Sequence, residues 1–300
     1  MERIYDLIVV GGGPAGYSAA LYAARAGLSV LVLEKLSAGG QMALTDSIDN
    51  YPGFDEGIDG FSLGERMQLG AERFGAVTEL AEVYALDLQG SPKVLETSEG
   101  TFMGRSVVIA TGAGPRELGL PGEQAQAGRR IHYCAACDGM RYRGKTVAVI
   151  GGGNSAVGDA LQLARIAKKV ILIHRRDSLR AEKIHQDSLM GAENVEIIWN
   201  SAPLEMSESG ILIQDVQTGE KTLVACDGVF VSIGRKPATS LVAGQLELDK
   251  AGYIVAGETT KTNIPGVFAA GDVRTKPLRQ VVTAVADGAM AVHFAQEYLA

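Results

Sequence analysis

Two of the three cysteines in this 300-residue chain, Cys134 and Cys137, are separated by two alanines and followed directly by Asp138. Thiols at this spacing can ligate a metal, form a disulfide or stay inert. A neighbouring carboxyl group can take up or release a thiol proton. The choice among these chemistries depends on what the flanking segments bind.

Residues 6–34 carry the pattern of a strand, a glycine-rich turn, a helix and a second strand. Gly11, Gly13 and Gly16 form the dinucleotide-binding pattern G-x-G-x-x-G where the helix begins. The first glycine permits the tight turn, the second lets a pyrophosphate approach the backbone, and the third lets the helix pack on the strand. Glu34 ends the second strand, where its carboxylate would accept hydrogen bonds from ribose hydroxyls. We therefore predict a dinucleotide with its pyrophosphate at the helix N-terminus.

Residues 146–176 repeat this pattern with Gly151, Gly153 and Ala156 in the turn. The helix that follows is predicted to run to about Lys168, and a second strand comes after it. The chain therefore contains two nucleotide-binding units, and the cysteine pair lies just before the second glycine turn.

The residue after the second strand differs between the two units. His174 occupies, at the same spacing, the position of Glu34, and Arg175 and Arg176 follow it. A carboxylate there repels a 2′-phosphate, whereas basic side chains attract one, and the planar guanidinium of arginine suits phosphate oxygens. Together with Arg180, these residues predict NADPH rather than NADH in the second unit.

Further segments are predicted to complete the two sheets and their ligand sites. Residues 106–112 and 228–234 are apolar strands that end in glycine. A polar, glycine-rich segment over 37–54 is expected to lie across the carboxyl ends of the strands and to contact a large cofactor. In the segment 266–273, Asp272 follows a strand and a glycine, where its carboxylate can bind a hydroxyl-rich chain such as ribityl.

The overall composition excludes several classes of function. The chain is 46% apolar and 21% charged, which is typical of a globular protein. A net charge of −7 argues against a nucleic-acid-binding surface. The apolar runs are far shorter than the roughly 20 residues of a membrane-spanning helix. The N-terminus has no signal-peptide pattern, so we expect a cytoplasmic protein.

The motifs resemble, in sequence and in order, those of the low-molecular-weight thioredoxin reductases. This resemblance covers nearly the whole chain, and the C-x-x-C-D between two nucleotide units is its most specific feature. The matching stretches are GGGPAGYSAALYAARA, GGQMALTDSIDNYPG, ATGAGPRELGLPGE, CAACDG, GGGNSA, HRRDSLRAEKI, GVFAAGDV and RQVVTAVADG.

The resemblance implies an α/β fold of two Rossmann-like domains, with one domain inserted into the other. Residues 1–113 and 246–300 would form a discontinuous FAD-binding domain. Residues 116–243 would form the NADPH-binding domain that carries the cysteines. A homodimer is also implied.

The resemblance further implies NADPH-dependent reduction of thioredoxin, or of a thioredoxin-like protein. Electrons would pass from NADPH through FAD to a Cys134–Cys137 disulfide, and the resulting dithiol would reduce the partner. Cys137 would face the flavin, Cys134 would attack the partner, and Asp138 would act as general acid and base.

The cofactor-binding positions follow from the two turns and from the resemblance. Those assigned to NADPH are Gly151, Gly153, Asn154, Ser155, Ala156, His174, Arg175, Arg176 and Arg180. Those assigned to FAD are Gly11, Gly13, Pro14, Ala15, Gly16, Glu34, Lys35, Gly40, Gln41, Asn50, Val83, Ala110, Thr111, Gly112, Gly271, Asp272, Arg279 and Gln280.

Other readings of the cysteine pair remain open. A zinc site needs about four ligands, and His132 with the two cysteines supplies three, so no metal site is predicted. Cys226 is expected to be a buried, inert strand residue. An FAD-dependent dithiol oxidase would use the same cysteines but would lack the basic set after the second strand. A non-enzymatic redox sensor would bind the cofactors without turnover.

The surface next to the cysteine pair is expected to dock the partner protein. Met140 and Arg141 stand where aromatic residues are common in the resembling family. Arg129 and Arg130 precede the pair and are candidates to meet an acidic patch on the partner.

Overall fold

The computed structural model describes residues 3–45, 47–207 and 209–300. The chain divides into two compact units, one formed by Met1–Gly114 with Lys236–Ala300 and the other by Pro115–Arg235. Both units combine parallel strands with helices, so the predicted α/β class is confirmed.

Strands and helices alternate along most of the chain. The strands are β1 (Ile4–Val10), β2 (Val30–Glu34), β3 (Val77–Leu80), β4 (Val83–Asp87), β5 (Lys93–Thr97), β6 (Gly100–Ile109), β7 (Ala113–Pro115), β8 (Ile131–His132), β9 (Thr146–Ile150), β10 (Lys169–Ile173), β11 (Val195–Ile198), β12 (Ser201–Ser207), β13 (Gly210–Asp215), β14 (Lys221–Ala225), β15 (Gly228–Val231), β16 (Arg235–Pro237) and β17 (Val267–Ala269). The α-helices are α1 (Pro14–Arg25), α2 (Gly60–Glu72), α3 (Glu123–Gln126), α4 (Ala135–Asp138), α5 (Asn154–Ala164), α6 (Lys183–Met190) and α7 (Val281–Leu299). Short 3₁₀ turns cover Gly40–Leu44, Gly139–Tyr142, Ser240–Val242 and Gly271–Val273.

The main sheet of the first unit has the order β3-β2-β1-β6-β5-β4, and β17 pairs with β6. Its strands are parallel, except that β5 pairs antiparallel with both β4 and β6. Successive residues of β1 enter different clusters: Leu7 and Val9 pack on one face of the sheet, and Ile8 and Val10 on the other. This period of two is the strand pattern, and burial on both faces explains why residues 7–10 are all apolar.

The sheet of the second unit has the parallel order β11-β10-β9-β15-β8. Helix α5 contributes Ala156, Ala160 and Leu163 to the cluster on one face. The antiparallel sheet β12-β13-β14 contributes Ile211 and Ile213 to the cluster on the other face. The sheet is therefore covered on both sides, as a parallel sheet requires.

Helix α5 ends earlier than the predicted Lys168. Its last residue is Ala164, and the amide of Ala167 bonds the carbonyl of Leu163 as the chain turns. The amide of Lys168 donates to the carbonyl of Lys145, 2.8 Å away, so it can no longer serve a helix. The prediction was wrong because this long-range bond, which starts β10, is invisible in the local pattern.

Two short strands, β7 and β16, pair with each other where the chain passes from one unit to the other. Among the described residues, no helix combines the length and the apolar character needed to cross a membrane.

Candidate functional site: two glycine turns and a cysteine pair

The first glycine turn is closed against the sheet and open toward solvent. Gly11 has φ +108°, and a Cβ there would lie 2.5 Å from the carbonyl oxygen of Ala110. A Cβ on Gly16 would lie 1.9 Å from the carbonyl oxygen of Gly11. At Gly13, by contrast, a Cβ would meet nothing within 4 Å. The turn therefore needs glycine for close packing at two positions and leaves free space at the third.

Helix α1 begins at this turn without a protein cap. Gly13 is its N-cap residue and Pro14 its first residue, no side chain caps it, and its first turn holds no acid. Ala15 is buried. The amide groups of the first turn have no acceptor within the helix, and the helix dipole is positive at this end. Both features favour a bound anion.

Glu34 is fixed beside this turn, as its position at the end of β2 predicts. Its Oε2 accepts a hydrogen bond from the amide of Gly12 at 2.6 Å, and its Oε1 accepts one from the amide of Leu36 at 3.0 Å. Lys35 is directed elsewhere and forms an exposed ion pair with Glu82. The carboxylate is therefore held at the rim of the turn.

Parts of the polar segment after β2 also reach the turn. The amide of Gly39 donates to the carbonyl of Gly12 at 2.8 Å, and a Cβ on Gly40 would lie 3.5 Å from the Cα of Gly13. Gln41 lies exposed in the same 3₁₀ turn. The structure thus brings Gly40 to the first glycine turn.

The same segment meets the end of the chain further along. The side-chain amide of Asn50 donates to Oε1 of Gln280 at 3.0 Å, across 230 positions of sequence. Gln280 is also the N-cap of α7, where it forms a capping box with Thr283. Arg279 stacks its guanidinium over the ring of Tyr253, 4.0 Å from the centroid.

The remaining predicted FAD positions lie at strand ends of the same sheet. Val83 is buried at the start of β4. Ala110, Thr111 and Gly112 directly follow β6, and the hydroxyl of Thr111 donates to the carbonyl of Ala238.

A buried ion cluster that the sequence did not reveal supports the Gly271–Val273 turn. One carboxylate, that of Asp287 on α7, accepts hydrogen bonds from the amide of Gly271 at 2.9 Å and from Arg274 and Lys276 at 2.8–2.9 Å. Burial disfavours the ionised carboxyl, but the bonds and charges of the two basic side chains prevail and hold the pKa of Asp287 below its ordinary value. Asp272 therefore sits on a turn anchored from behind by Asp287.

The second glycine turn repeats the first with one change in packing. Gly151 has φ +150°, and a Cβ on Gly153 would again meet nothing within 4 Å. Gly153 is the N-cap of α5, with no side-chain cap and no acid in the first turn. Ala156, at the position of the third glycine, is fully buried.

The two residues that start α5 differ in their surroundings. The side chain of Asn154 exchanges hydrogen bonds with Glu182: its Oδ1 accepts from the Glu182 amide at 2.8 Å, and its Nδ2 donates to Oε1 at 3.3 Å. Ser155 is exposed.

His174 is a buried, neutral ring rather than a cation. It is 4% exposed, a Cβ on Gly152 would lie 2.3 Å from the ring, and Trp199 stands edge-on to it. Burial lowers the pKa of His174, and the charges of Arg180, Arg176 and Arg175 lower it further. Nε2 of His174 has no hydrogen-bond partner among the described residues. The positive charge of the predicted phosphate clamp therefore comes from the arginines.

The three arginines of this clamp are accessible. Arg175, Arg176 and Arg180 are exposed, and within the described part of the chain none of them forms an ion pair with an acid. The amide of Arg180 donates to the carbonyl of Gly152 at 2.7 Å, which fixes that residue at the rim of the turn.

Helix α5 also carries a half-buried carboxylate, that of Asp159. Asp159 accepts a hydrogen bond from the hydroxyl of Ser232, which directly follows β15. Burial raises the pKa of Asp159, and the bond from Ser232 offsets this only in part.

Cys134 and Cys137 are joined in a disulfide, with their Cα atoms 5.3 Å apart. Cys134 precedes the single-turn helix α4, and the amide of Asp138 donates to its carbonyl at 3.1 Å. Both cysteines are half-buried, so a reaction partner can approach them. The short helix fixes the spacing that the C-x-x-C pattern implies.

Asp138 lies between two basic side chains. Its Oδ2 is 3.3 Å from Nδ1 of His132, and its Oδ1 is 3.7 Å from the guanidinium of Arg141. The carboxyl side chain is 15% exposed, whereas that of His132 is fully buried. In the sequence His132 stood out only as a third possible zinc ligand.

The structure assigns Arg130 a different role from the predicted partner contact. Its guanidinium donates to the carbonyls of Ser207, Cys226 and Asp227 at 2.8–3.2 Å. It therefore ties the segment before the cysteines to its own unit. Arg129 and Met140 are exposed, as a docking surface requires.

Cys226, the third cysteine, and the other possible metal ligands show no sign of a metal site among the described residues. Cys226 is a free, buried thiol, and burial raises its pKa to about 11, so it stays protonated. Among the described residues no group of three or more histidine, cysteine, aspartate or glutamate side chains is arranged to hold a metal ion.

Known proteins resemble this chain along its whole length. The model of the family described as pyridine nucleotide-disulphide oxidoreductase matches residues 5–288. The thioredoxin reductase of Treponema pallidum is 44% identical over 303 residues, covering 100% of this chain and 98% of that protein. That of Peptoclostridium acidaminophilum is 43% identical, with the same coverage. The crystal structure of the thioredoxin reductase of Streptococcus pyogenes has a TM-score of 0.92 at 42% identity, covering 100% of this chain and 99% of that one.

Proposed function

Because this chain belongs to the pyridine nucleotide-disulphide oxidoreductase family, we propose that it is an NADPH-dependent thioredoxin reductase with FAD as its flavin. The resemblance seen in the motifs is confirmed, and the chain is a disulfide oxidoreductase. Its family implies a flavin and a nicotinamide cofactor. The observation that carries the proposal is the Cys134–Cys137 disulfide, with Asp138 beside it, in the unit that holds the second glycine turn.

The first unit fits FAD. A pyrophosphate has room at Gly13, faces an uncapped helix start, and finds the carboxylate of Glu34 in position for ribose hydroxyls. The Gly271–Val273 turn, anchored by Asp287, would hold Asp272 where its carboxylate can accept hydrogen bonds from ribityl hydroxyls. Asn50 and Gln280, already linked to each other, are proposed to contact the flavin end.

The second unit fits NADPH. The space at Gly153 and the uncapped start of α5 suit the pyrophosphate. Arg175, Arg176 and Arg180 suit a 2′-phosphate, since arginine binds phosphate oxygens in a planar fork.

When bound, the flavin converts the two-electron hydride of NADPH into electrons for a disulfide. In the chain itself, two electrons and one proton turn the Cys134–Cys137 bond into the Cys134 thiolate and the Cys137 thiol. The Cys134 thiolate attacks one sulfur of the thioredoxin disulfide, forming a mixed disulfide and releasing a thioredoxin thiolate, which takes a proton. Cys137 then loses its proton and attacks Cys134, restoring the intramolecular disulfide and releasing the second thioredoxin thiolate. Asp138 takes up and returns the protons.

Anaerobic spectroscopy tests the proposal. NADPH should bleach the yellow flavin, and oxidised thioredoxin should restore the colour. The matched variant Cys134→Ser should bleach but not recover, because Cys137 alone cannot pass on a pair of electrons.

Each failure has a distinct meaning. A wild-type protein that NADPH does not bleach would remove NADPH as the donor. Bleaching by NADPH that thioredoxin does not reverse would remove thioredoxin as the acceptor. A flavin that a small dithiol bleaches but NADPH does not, and that oxygen reoxidises, would favour a dithiol oxidase. The exposed arginine set of the second unit speaks against that alternative.

The protein substrate is proposed to dock at the surface formed by Arg129, Met140 and Arg141. A homodimer and a cytoplasmic location stay predictions. Sedimentation of the FAD-loaded protein would test the first, and fractionation of cells would test the second.

A further inference from the structure

His132 is a buried histidine for which the reaction outlined above has no use. It ends β8, is 1% exposed, and packs against the rings of Tyr142 and Phe230, with centroids 5.3 Å away in each case. A buried imidazole must have its nitrogens hydrogen-bonded or pay the cost of desolvation. The partners of the two ring nitrogens therefore indicate which of them carries a hydrogen.

The first nitrogen, Nε2, lies 2.7 Å from the hydroxyl oxygen of Tyr142 and 3.2 Å from the carbonyl oxygen of Arg129. The carbonyl can only accept a hydrogen bond. The hydroxyl of Tyr142 has its own acceptor, since it donates to the same carbonyl at 3.2 Å. A hydrogen on Nε2 can be shared between the hydroxyl oxygen and the carbonyl oxygen. A bare Nε2 would instead face the carbonyl as a second acceptor.

The second nitrogen, Nδ1, faces Asp138. It is 3.3 Å from Oδ2 of the carboxyl group, and it is a buried atom that makes no hydrogen bond to any described residue. If Nε2 holds the only hydrogen of a neutral ring, Nδ1 is an acceptor. Two acceptors at this distance repel each other unless a proton lies between them.

We propose that His132 is a positioning residue for Asp138, and that the two side chains hold one shared proton for the thiol–disulfide exchange. The proton lies either on the carboxyl group, which then donates to Nδ1, or on Nδ1, which then donates to the carboxylate. This inference rests on the proposed function, because it assigns the proton that the exchange of thiols requires.

The charged groups around the pair are few. Arg141 lies 3.7 Å from Oδ1 of Asp138 on the outer side. On the inner side is Tyr142, whose pKa burial raises, so its hydroxyl stays protonated. Arg130 and Asp227 act on Tyr142 with opposite signs. In the described part of the chain, the His132 ring makes no ion pair or hydrogen bond with a second carboxylate.

The shared proton makes the exchange balance. The reduced chain holds the Cys134 thiolate, the Cys137 thiol and the protonated pair. The thioredoxin thiolate released first takes the shared proton from Asp138, leaving its carboxylate facing the bare Nδ1. The Cys137 thiol gives its proton back to the pair as it attacks Cys134. The second thioredoxin thiolate takes a proton from water.

The ring state of His132 can be measured directly in the oxidised, FAD-loaded protein with nitrogen-labelled histidine. The chain has four histidines, and the variant His132→Gln identifies the signals of His132 by their loss. We expect a hydrogen on Nε2 at neutral pH, with Nδ1 hydrogen-bonded or itself protonated. A neutral ring that carries its hydrogen on Nδ1 and none on Nε2 would overturn the proposal.

Kinetics give the second readout. His132→Gln should lower the kcat of thioredoxin reduction roughly tenfold to a hundredfold, below the full effect of a general acid. The pH profile of kcat should change shape, because glutamine cannot share a proton with the carboxyl group of Asp138. Tyr142→Phe keeps the contacts of the His132 ring with Asp138 and with the carbonyl of Arg129. It should therefore lower kcat less than His132→Gln does. His293→Gln, at an exposed ion pair with Glu297, serves as the control.

The flavin step separates this inference from the proposed function. NADPH should bleach His132→Gln as fast as wild type, since that step precedes the exchange. If wild type turns over and His132→Gln has the same pH profile, the inference fails while the function stands. Should His132→Gln lose FAD, His132→Asn replaces it, because its amide reaches the position of Nδ1.

Discussion

The two glycine turns share a backbone but not a binding chemistry. In the first, the carbonyl of Gly12 accepts a hydrogen bond from the amide of Gly39 at 2.8 Å. In the second, the carbonyl of Gly152 accepts one from the amide of Arg180 at 2.7 Å. The same peptide thus anchors the segment that follows the second strand in each unit, and the loop scaffold is duplicated.

The side chains after the second strand make the difference. The side chain of Glu34 accepts a hydrogen bond from the amide of Gly12. The ring of His174 instead packs against Gly152 with a lowered pKa, so the positive charge of the second unit comes from the exposed arginines. One scaffold can therefore suit two different nucleotides, as we propose, because the side chains that differ are not needed to build the turn. The following variants test how the two units differ.

A methyl group added to the first turn should disturb both the fold and the binding of FAD. Gly16→Ala places a Cβ 1.9 Å from a backbone oxygen, and we expect a loss of about 3 kcal/mol of stability together with loss of FAD. The reverse change, Ala156→Gly, should cost only about 1 kcal/mol through helix propensity. Thermal unfolding and the flavin content of the purified variants measure both effects. Equal losses would show that the turns pack alike.

The buried carboxylates should respond in opposite ways to neutralisation. Asp287→Asn leaves Arg274 and Lys276 without their counter-charge, and we expect a loss of about 3–5 kcal/mol. Asp159→Asn removes a carboxyl whose ionised form is already disfavoured, so it should be neutral or slightly stabilising at pH 7. Urea unfolding followed by fluorescence distinguishes the two.

The pH dependence of these two sites gives an independent check. The Asp287 pKa is lowered, so its contribution is present above the ordinary carboxyl pKa and is lost as pH falls through the folded value. The Asp159 pKa is raised, so its contribution is present at acid pH and is lost as pH rises through the folded value. Matching slopes for both Asn variants would contradict the assigned environments.

The arginine clamp should control the choice of nucleotide. Arg176→Ala is expected to raise the KM for NADPH roughly tenfold while leaving that for NADH nearly unchanged, since one charge-assisted phosphate bond contributes about 1.5–3 kcal/mol. Lys183→Ala, which removes the same charge from the exposed pair with Asp187, is the control. An equal rise for both nucleotides would place Arg176 outside the phosphate site.

The smallest expected effect is the titration of His174. Because burial lowers its pKa, the unfolded chain takes up a proton before the folded one does. The free energy of unfolding should therefore fall as the pH drops below about 6.5, the ordinary histidine value. His174→Phe, which keeps a ring beside Gly152, should flatten this decrease. An unchanged slope would mean that His174 is accessible to protons in the folded protein.

Features coded by short stretches could be predicted from the sequence. Both glycine turns, the helices that follow them and the C-x-x-C pair depend on residues within a few positions, where steric rules act directly. Glu34 and His174 were placed by the fixed length of one strand-turn-helix-strand unit. The end of α5 was missed because a bond from Lys168 to Lys145 outweighs local helix propensity.

The partners of the predicted residues were decided by the tertiary structure. Asp287 reaches Gly271, and Asn50 reaches Gln280, across separations that no local pattern encodes. Arg130 looked like a surface contact but bonds three carbonyls, since its neighbours come from distant strands.

The sequence alone determined that this chain has two nucleotide turns of different charge and a redox-competent cysteine pair, because each is a contiguous chemical pattern. Only the tertiary structure decided how those groups are protonated. Burial in the fold lowers the pKa of His174, and His132 faces Asp138 because β8 and α4 bring them together. Protonation depends on burial and on neighbouring charges, and both are set by packing rather than by sequence order.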